Sequence, residues 1–186
     1  MAKKQNEEIV GTEKEFLDEF QKLCYSRSGW QVWSDLMTVI ACSISNSIDT
    51  SPEHFEPREK EYAACIKRLG SVEVASKMFA IIVMALERNP DQDFLGKMYM
   101  TLNLSNHWKG QFFTPYSVCQ LMAESTIGDD VQKEIDEKGF ISINDPACGA
   151  GATLIAAANT FRRKKINYQD HVVFVAQDID RVVGMM

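Results

Sequence analysis

Apolar residues recur at helical spacing through most of the first hundred positions. From Glu13 to Cys24, Phe16, Leu17, Phe20 and Leu23 fall on one face, the three-and-four spacing of an amphipathic helix. Gly29 interrupts, and Trp30 to Ser45 reads as a second, more apolar helix carrying Trp33, Leu36, Met37, Ile40 and Ile44. Residues 46–57, with Asn46, Asp49, Ser51, Pro52 and Pro57, read as a loop. Arg58 to Leu69 is a third helix, ended by Gly70. Ser71 to Arg88 is a fourth, with Val74, Met78, Ile81, Ile82 and Leu86 inward. Asn89-Pro90 stops it, because the residue before a proline is driven out of the helical region. Asp93 to Leu104 is a fifth, carrying Leu95, Met98, Tyr99 and Leu102. Methionine and aromatic stripes at this spacing are read as core and not as a ligand pocket.

The pattern then changes. Asn106 to Pro115 is a polar-aromatic loop, and Tyr116 to Thr126 a sixth helix. Residues 128–139 are polar and form a short helix or a loop. Residues 140–144 alternate apolar and polar, as a strand does. A helix runs from the following turn to about Lys165, and His171 to Gln177 is a second strand. Its centre, Val172 to Ala176, is apolar on both faces, as in parallel sheets covered on both sides. Strand, helix, strand is a βαβ unit, expected to be right-handed. The expected class is α/β, with a helical domain over residues 1–104 and the start of an α/β domain over 105–186.

Composition narrows this modestly. The 186 residues suffice for one domain with a real core or two small ones. Apolar residues at 45% and charged residues at 25% are ordinary for a soluble globular protein. No apolar run is long enough to span a bilayer, and the N-terminus is too polar for a signal peptide. A cytoplasmic location is therefore expected. The net charge of −6 disfavours a free-standing DNA binder, because affinity for nucleic acid rests on neutralising phosphates. If the protein works on DNA, its main DNA-contacting surface is expected elsewhere. Five cysteines form no Cys-x-x-Cys pair and three histidines lie far apart, so no zinc site is expected and the thiols are read as reduced.

Candidate chemistry gathers in three places. The first is Asn144-Asp145-Pro146-Ala147-Cys148-Gly149-Ala150-Gly151, between the first strand and a small-residue helix. Glycines there let the backbone approach a ligand at a helix N-terminus. Asp145 can accept hydrogen bonds from an amino group or ordered water. The second is Gln177-Asp178-Ile179-Asp180 at the end of the second strand, where an acidic residue is placed to take two ribose hydroxyls. The third is Gly110-Gln111-Phe112-Phe113-Thr114-Pro115, where Thr114 reads as a helix N-cap with Pro115 at the first helical position. The glycine turn is neither Gly-x-Gly-x-x-Gly nor a phosphate loop. A dinucleotide-dependent oxidoreductase and a nucleoside-triphosphate enzyme are both poor fits.

Asp-Pro-Ala-Cys-Gly-Ala-Gly resembles the first motif of S-adenosylmethionine-dependent DNA methyltransferases that act on adenine N6. Gly-Gln-Phe-Phe-Thr-Pro resembles their N-terminal cofactor motif, and Gln-Asp-Ile-Asp their second-strand motif. With the upstream motif before the first strand, the order is that of the gamma-type enzymes, among them the modification subunits of type I restriction systems and related phage and orphan methylases. Asp93-Phe94-Leu95-Gly96 resembles the end of that group's helical region. The resemblance implies a Rossmann-like methyltransferase fold and S-adenosylmethionine as cofactor. It implies a cofactor site drawn from Gln111, Phe112, Phe113, Thr114, Asp145, Pro146, Ala147, Cys148, Gly149, Gly151, Asp178 and Ile179. Phe113 and Thr114 would hold the methionine part, Ala147 to Gly149 would line the cofactor through backbone, Asp178 would bind the ribose and Ile179 the adenine. Cys148 would be a wall residue, since methylating an exocyclic nitrogen needs no covalent intermediate.

The family's Asn/Asp-Pro-Pro-Tyr/Phe motif, which holds the flipped-out adenine, does not occur; the five prolines include no adjacent pair. The chain therefore reads as an N-terminal portion with an unfinished sheet. An open strand edge invites pairing with another chain, so the chain alone is expected to be marginal, a homo-oligomer through that edge, or dependent on a partner. DNA in the complete enzyme, and specificity or restriction subunits, are the implied partners, with no membrane. The alternative is a non-catalytic helical interaction module with a vestigial cofactor fold, acting within a restriction–modification assembly. The run Arg162-Arg163-Lys164-Lys165 closes a helix, where cations offset the helix dipole; this reading is preferred to a DNA patch.

Overall fold

A computed structural model describes residues 2–104 and 113–186, with side chains from residue 11 onward. Gln111 and Phe112 lie outside the described residues. The molecule is mostly helical, with a small parallel sheet, and is α/β in class. Five helices come first: α1 (Ala2–Leu23), α2 (Gly29–Ile48), α3 (Pro52–Leu69), α4 (Val72–Arg88) and α5 (Phe94–Thr101). Then follow α6 (Tyr116–Thr126), α7 (Val131–Lys138), β1 (Ile141–Asp145), α8 (Ala152–Arg163), α9 (Tyr168–His171), β2 (Val172–Ala176) and α10 (Arg181–Gly184).

Of residues 46–57, expected as a loop, only 49–51 connect; 46–48 end α2 and 52–57 begin α3. Pro52 occupies the first turn of α3, where its missing N–H would have had no partner in any case. Pro57 lies inside the same helix and removes a single backbone bond near its solvated start. The polar segment after Gly128 resolves as the short helix α7, closed by Gly139 in the left-handed conformation at φ 82°. Helix α9 is an element that periodicity did not reveal.

Two apolar clusters organise these elements. The first joins α1 to α5 around Phe16, Phe20, Trp33, Leu36, Met78 and Tyr99, all essentially inaccessible. Its rings meet edge to face, Phe16 on Trp33 at 6.1 Å and Trp33 on Tyr99 at 5.7 Å between centroids, a favoured geometry for aromatic pairs. The second cluster packs α6, α7 and α8 on one face of the sheet. The small residues Ala152, Ala156 and Ala157 line α8 there, which lets α6 approach closely. β1 and β2 pair in parallel, Ile141 opposite Val172 and Ile143 opposite Phe174. These four side chains face the second cluster. On the other face, Ser142, Asn144, Val173 and Val175 are exposed.

The two clusters are stitched by polar contacts at the turn after α4. Asp91 accepts hydrogen bonds from the Tyr116 hydroxyl at 2.6 Å and from Gln120 at 3.1 Å, and pairs with Arg163 at 2.7 Å. Asn159 donates to the Pro90 carbonyl at 2.9 Å. Val183 of α10 is buried in the first cluster. Two members of the basic run are thus held in ion pairs, Arg163 with Asp91 and Glu124, and Lys164 with Asp129.

Candidate cofactor site

The two parallel strands end side by side, and the loops leaving them are tied together. Beyond β1 and β2 the ladder continues: Gln177 N–H donates to the Asp145 carbonyl at 3.0 Å, and Cys148 N–H to the Gln177 carbonyl at 2.8 Å. Asp178 completes the junction. One carboxylate oxygen accepts from Gly149 N–H at 2.9 Å and the other from Asp180 N–H at 2.8 Å. Asp145 organises its own turn, accepting from Ala147 N–H at 3.1 Å and from the Thr153 hydroxyl in the first turn of α8.

The two glycines of the turn serve different needs. Gly149 has φ 56°, and a Cβ there would stand 3.2 Å from the Phe113 ring. Both backbone and neighbour therefore ask for glycine. Gly151 has φ 78° with nothing within 4 Å of an added Cβ, so only its left-handed backbone does. Phe113 in turn lies on Tyr99, with ring centroids 5.1 Å apart. An aromatic path thus runs from the helical core to the glycine turn.

Thr114 does not cap α6. Pro115 takes the cap position with extended backbone at ψ 136°, and its carbonyl accepts from Val118 N–H at 2.8 Å and Cys119 N–H at 3.2 Å. The helix runs Tyr116–Thr126 as its sequence suggested, and only the cap differs, Pro115 taking the place read for Thr114. Thr114 is left outside it, exposed.

A cavity of about 280 Å³ opens at the strand ends, and its wall brings together Phe113, Thr114, Asp145, Ala147, Cys148, Gly149 and Asp178. Pro146 and Ile179 lie outside this wall, Ile179 fully exposed, and Gly151 shapes the turn without lining the cavity. Sequence reasoning missed Cys119, Ala150, Ala152, Thr153 and Val183, which complete the wall. Thr153 could have been suspected from its place in the first turn after the glycines. Cys119 and Val183 carry no local signal.

The cavity is acidic. Asp145 and Asp178 line it, and no lysine, arginine or histidine does so among the described residues. Burial pushes the Cys148 thiol pKa up, with Asp178 and Asp145 adding to the shift. Burial and the neighbouring Asp93 and Asp145 do the same for Cys119. Both thiols stay protonated at neutral pH and are poor nucleophiles. Among the described residues, no three His, Cys, Asp or Glu side chains converge on a metal position. No single helix among them is long and apolar enough to cross a membrane.

A glycine turn entering a helix, with a carboxylate at the end of the adjoining parallel strand, is the general arrangement of α/β sites for nucleoside-containing ligands. The family description "N-6 DNA methylase" matches residues 90–185, more than half of the chain. The chain belongs to the N-6 DNA methylase family. No curated protein and no solved structure matches it.

Proposed function

We propose that this chain carries the S-adenosylmethionine-binding part of a DNA adenine-N6 methyltransferase, with residues 105–186 beginning its Rossmann-like sheet against a helical domain at 1–104. In the complete enzyme the methyl group passes to an adenine flipped out of DNA. The observation that carries the reading is the charge of the cavity, where Asp145 and Asp178 meet no cationic side chain among the described residues. A pyrophosphate or triphosphate brought there would face two carboxylates without compensation. S-adenosylmethionine carries a sulfonium and an ammonium against one carboxylate, and its net positive charge suits the wall.

The residues divide the ligand among them. Asp178 uses each oxygen once within the protein, which leaves a lone pair on each for the ribose hydroxyls. The backbone from Ala147 to Gly149 approaches the ligand without a side chain at 149. Phe113 and Thr114 take the methionine end, and Ile179 the adenine face. Bound there, the cofactor supplies an electrophilic methyl group. The protonated thiol of Cys148 is wall, not reactant. The motif that would present adenine does not occur in the 186 residues, so this chain is proposed to bind the donor and not to complete transfer unaided.

Calorimetric titration with S-adenosylmethionine, NAD and ATP tests this. Saturable binding of the first, abolished by Asp178→Ala, is expected, with no binding of the other two. Binding of ATP or NAD at equal affinity would overturn the charge argument.

A further inference from the structure

Thr153 lines the glycine-turn cavity from the first turn of α8, as Asp145 does from the end of β1. Its hydroxyl donates to Asp145 Oδ2, while Ala147 N–H donates to Oδ1 at 3.1 Å. A threonine in a helix often returns its hydroxyl to the backbone of its own helix. Here the hydroxyl crosses the glycine turn to a side chain eight residues earlier. Asp145 is half-buried, and its carboxylate is held at both oxygens, once by its own turn and once by α8. Ala147 alone would leave Oδ2 able to swing towards solvent.

The same bond fixes where the protons of this wall point. A threonine hydroxyl has one proton and two lone pairs, and an ionised carboxylate has lone pairs only. With its proton given to Asp145, the Thr153 oxygen can only accept from a ligand. The two thiols of the wall are committed in the same way, Cys148 to the Gly149 carbonyl at 3.5 Å and Cys119 to the Thr114 carbonyl at 3.8 Å. The corner between β1 and α8 therefore offers acceptors to the cavity. Such a corner suits a group rich in donors, an ammonium in place of a carboxylate or a phosphate.

We propose that Thr153 is a positioning residue of the cofactor site: its hydroxyl sets the Asp145 carboxylate so that this carboxylate and Thr153 Oγ1 together seat the ammonium group at the amino-acid end of the ligand. This rests on the reading of the site as an S-adenosylmethionine pocket. It makes the first turn of α8, and not the strand ends alone, a determinant of which ligand the pocket takes.

The test is calorimetric titration of the full chain with three ligands. They are S-adenosylmethionine, decarboxylated S-adenosylmethionine, which keeps the ammonium group, and 5′-methylthioadenosine, which lacks the amino-acid end. Thr153→Val keeps the branched shape and removes the hydroxyl; Thr153→Ser keeps the hydroxyl. Thr153→Val is expected to weaken the first two ligands by roughly tenfold, the loss of one charge-assisted contact, and to leave methylthioadenosine unchanged. Thr153→Ser is expected to bind all three as the unaltered chain does. Equal weakening of all three by Thr153→Val would mean that the hydroxyl only fastens the turn, and no weakening would leave it without a role. Loss for S-adenosylmethionine but not for its decarboxylated form would place the carboxylate in this corner, and equal loss in Thr153→Ser would assign the effect to packing. Each of these results overturns the inference. Failure of the unaltered chain to bind any of the three would instead overturn the pocket reading, and this inference with it.

Discussion

Asparagine at position 178 probes the junction that holds the site together. The substitution preserves shape and replaces one carboxylate oxygen by an amide NH₂. Two backbone donors, Gly149 N–H at 2.9 Å and Asp180 N–H at 2.8 Å, approach the two oxygens separately. Whichever way the amide turns, one donor faces another donor. The loss is one charge-assisted hydrogen bond, worth about 1.5–3 kcal/mol. Asp178 is half-buried, and water can reach the abandoned N–H, which places the loss near about 1.5 kcal/mol. For a chain of this size that lowers the melting temperature by roughly 3–6 °C. The same change removes a ribose acceptor and frees either the Gly149 or the Asp180 N–H from the junction, so S-adenosylmethionine affinity should fall at least about tenfold. Melting followed by circular dichroism and titration calorimetry read the two effects. An unchanged melting point together with unchanged affinity would refute the latch and its part in binding.

The remaining predictions concern the core, the glycines and the thiols. Arg68 grips Asp35 with Nε at 3.0 Å and Nη2 at 2.7 Å, and Asp35 is almost wholly buried while Arg68 is half-exposed; Arg68→Ala, which leaves the carboxylate without its counter-charge and with the Gln31 amide as its remaining donor, should cost about 3 kcal/mol in urea unfolding, against roughly 1–2 kcal/mol for Asp35→Ala, which lets Arg68 turn to solvent. Gly149→Ala and Gly139→Ala both force alanine into a left-handed backbone, at about 1–2 kcal/mol each. Only the first meets Phe113, so only it should reduce cofactor affinity in the same titration. Burial, with Asp35 nearby, pushes the Cys65 thiol up from 9.0 to about 11. The unfolded chain then loses its proton first, so this stabilisation is complete below pH 9.0 and disappears as pH rises through about 11. Melting temperature should accordingly fall more steeply over that window in the unaltered chain than in Cys65→Ala.

Local signals made α2 and α4 readable, because their apolar residues keep helical spacing and Gly29, Gly70 and Asn89-Pro90 bound them. Pro52 and Pro57 looked like loop residues because proline signals a break unless its place in the first turns is known, and that place depended on Ser51 and Pro52 starting α3. The four-residue α9 is too short to show a period. In the site, Asp145, the glycine turn and Asp178 were legible because each sits at the end of a strand that alternation or apolarity reveals. Cys119 and Val183 were not, because the face a helix turns to a cavity is set by what packs behind it. The Thr114-Pro115 pair fitted a cap by composition, and only the hydrogen bonds to the Pro115 carbonyl put Pro115 in the cap position.

The aromatic path has a practical corollary in optical terms. Trp33 is wholly inaccessible and meets Tyr99 edge-on, Tyr99 lies on Phe113, and Phe113 leaves no room for a side chain at Gly149. If the proposed ligand displaces the glycine turn, the Phe113 ring beside it and the tyrosine and indole behind it are expected to respond. Intrinsic emission from the helical layer is then expected to report occupancy at the strand ends without a label.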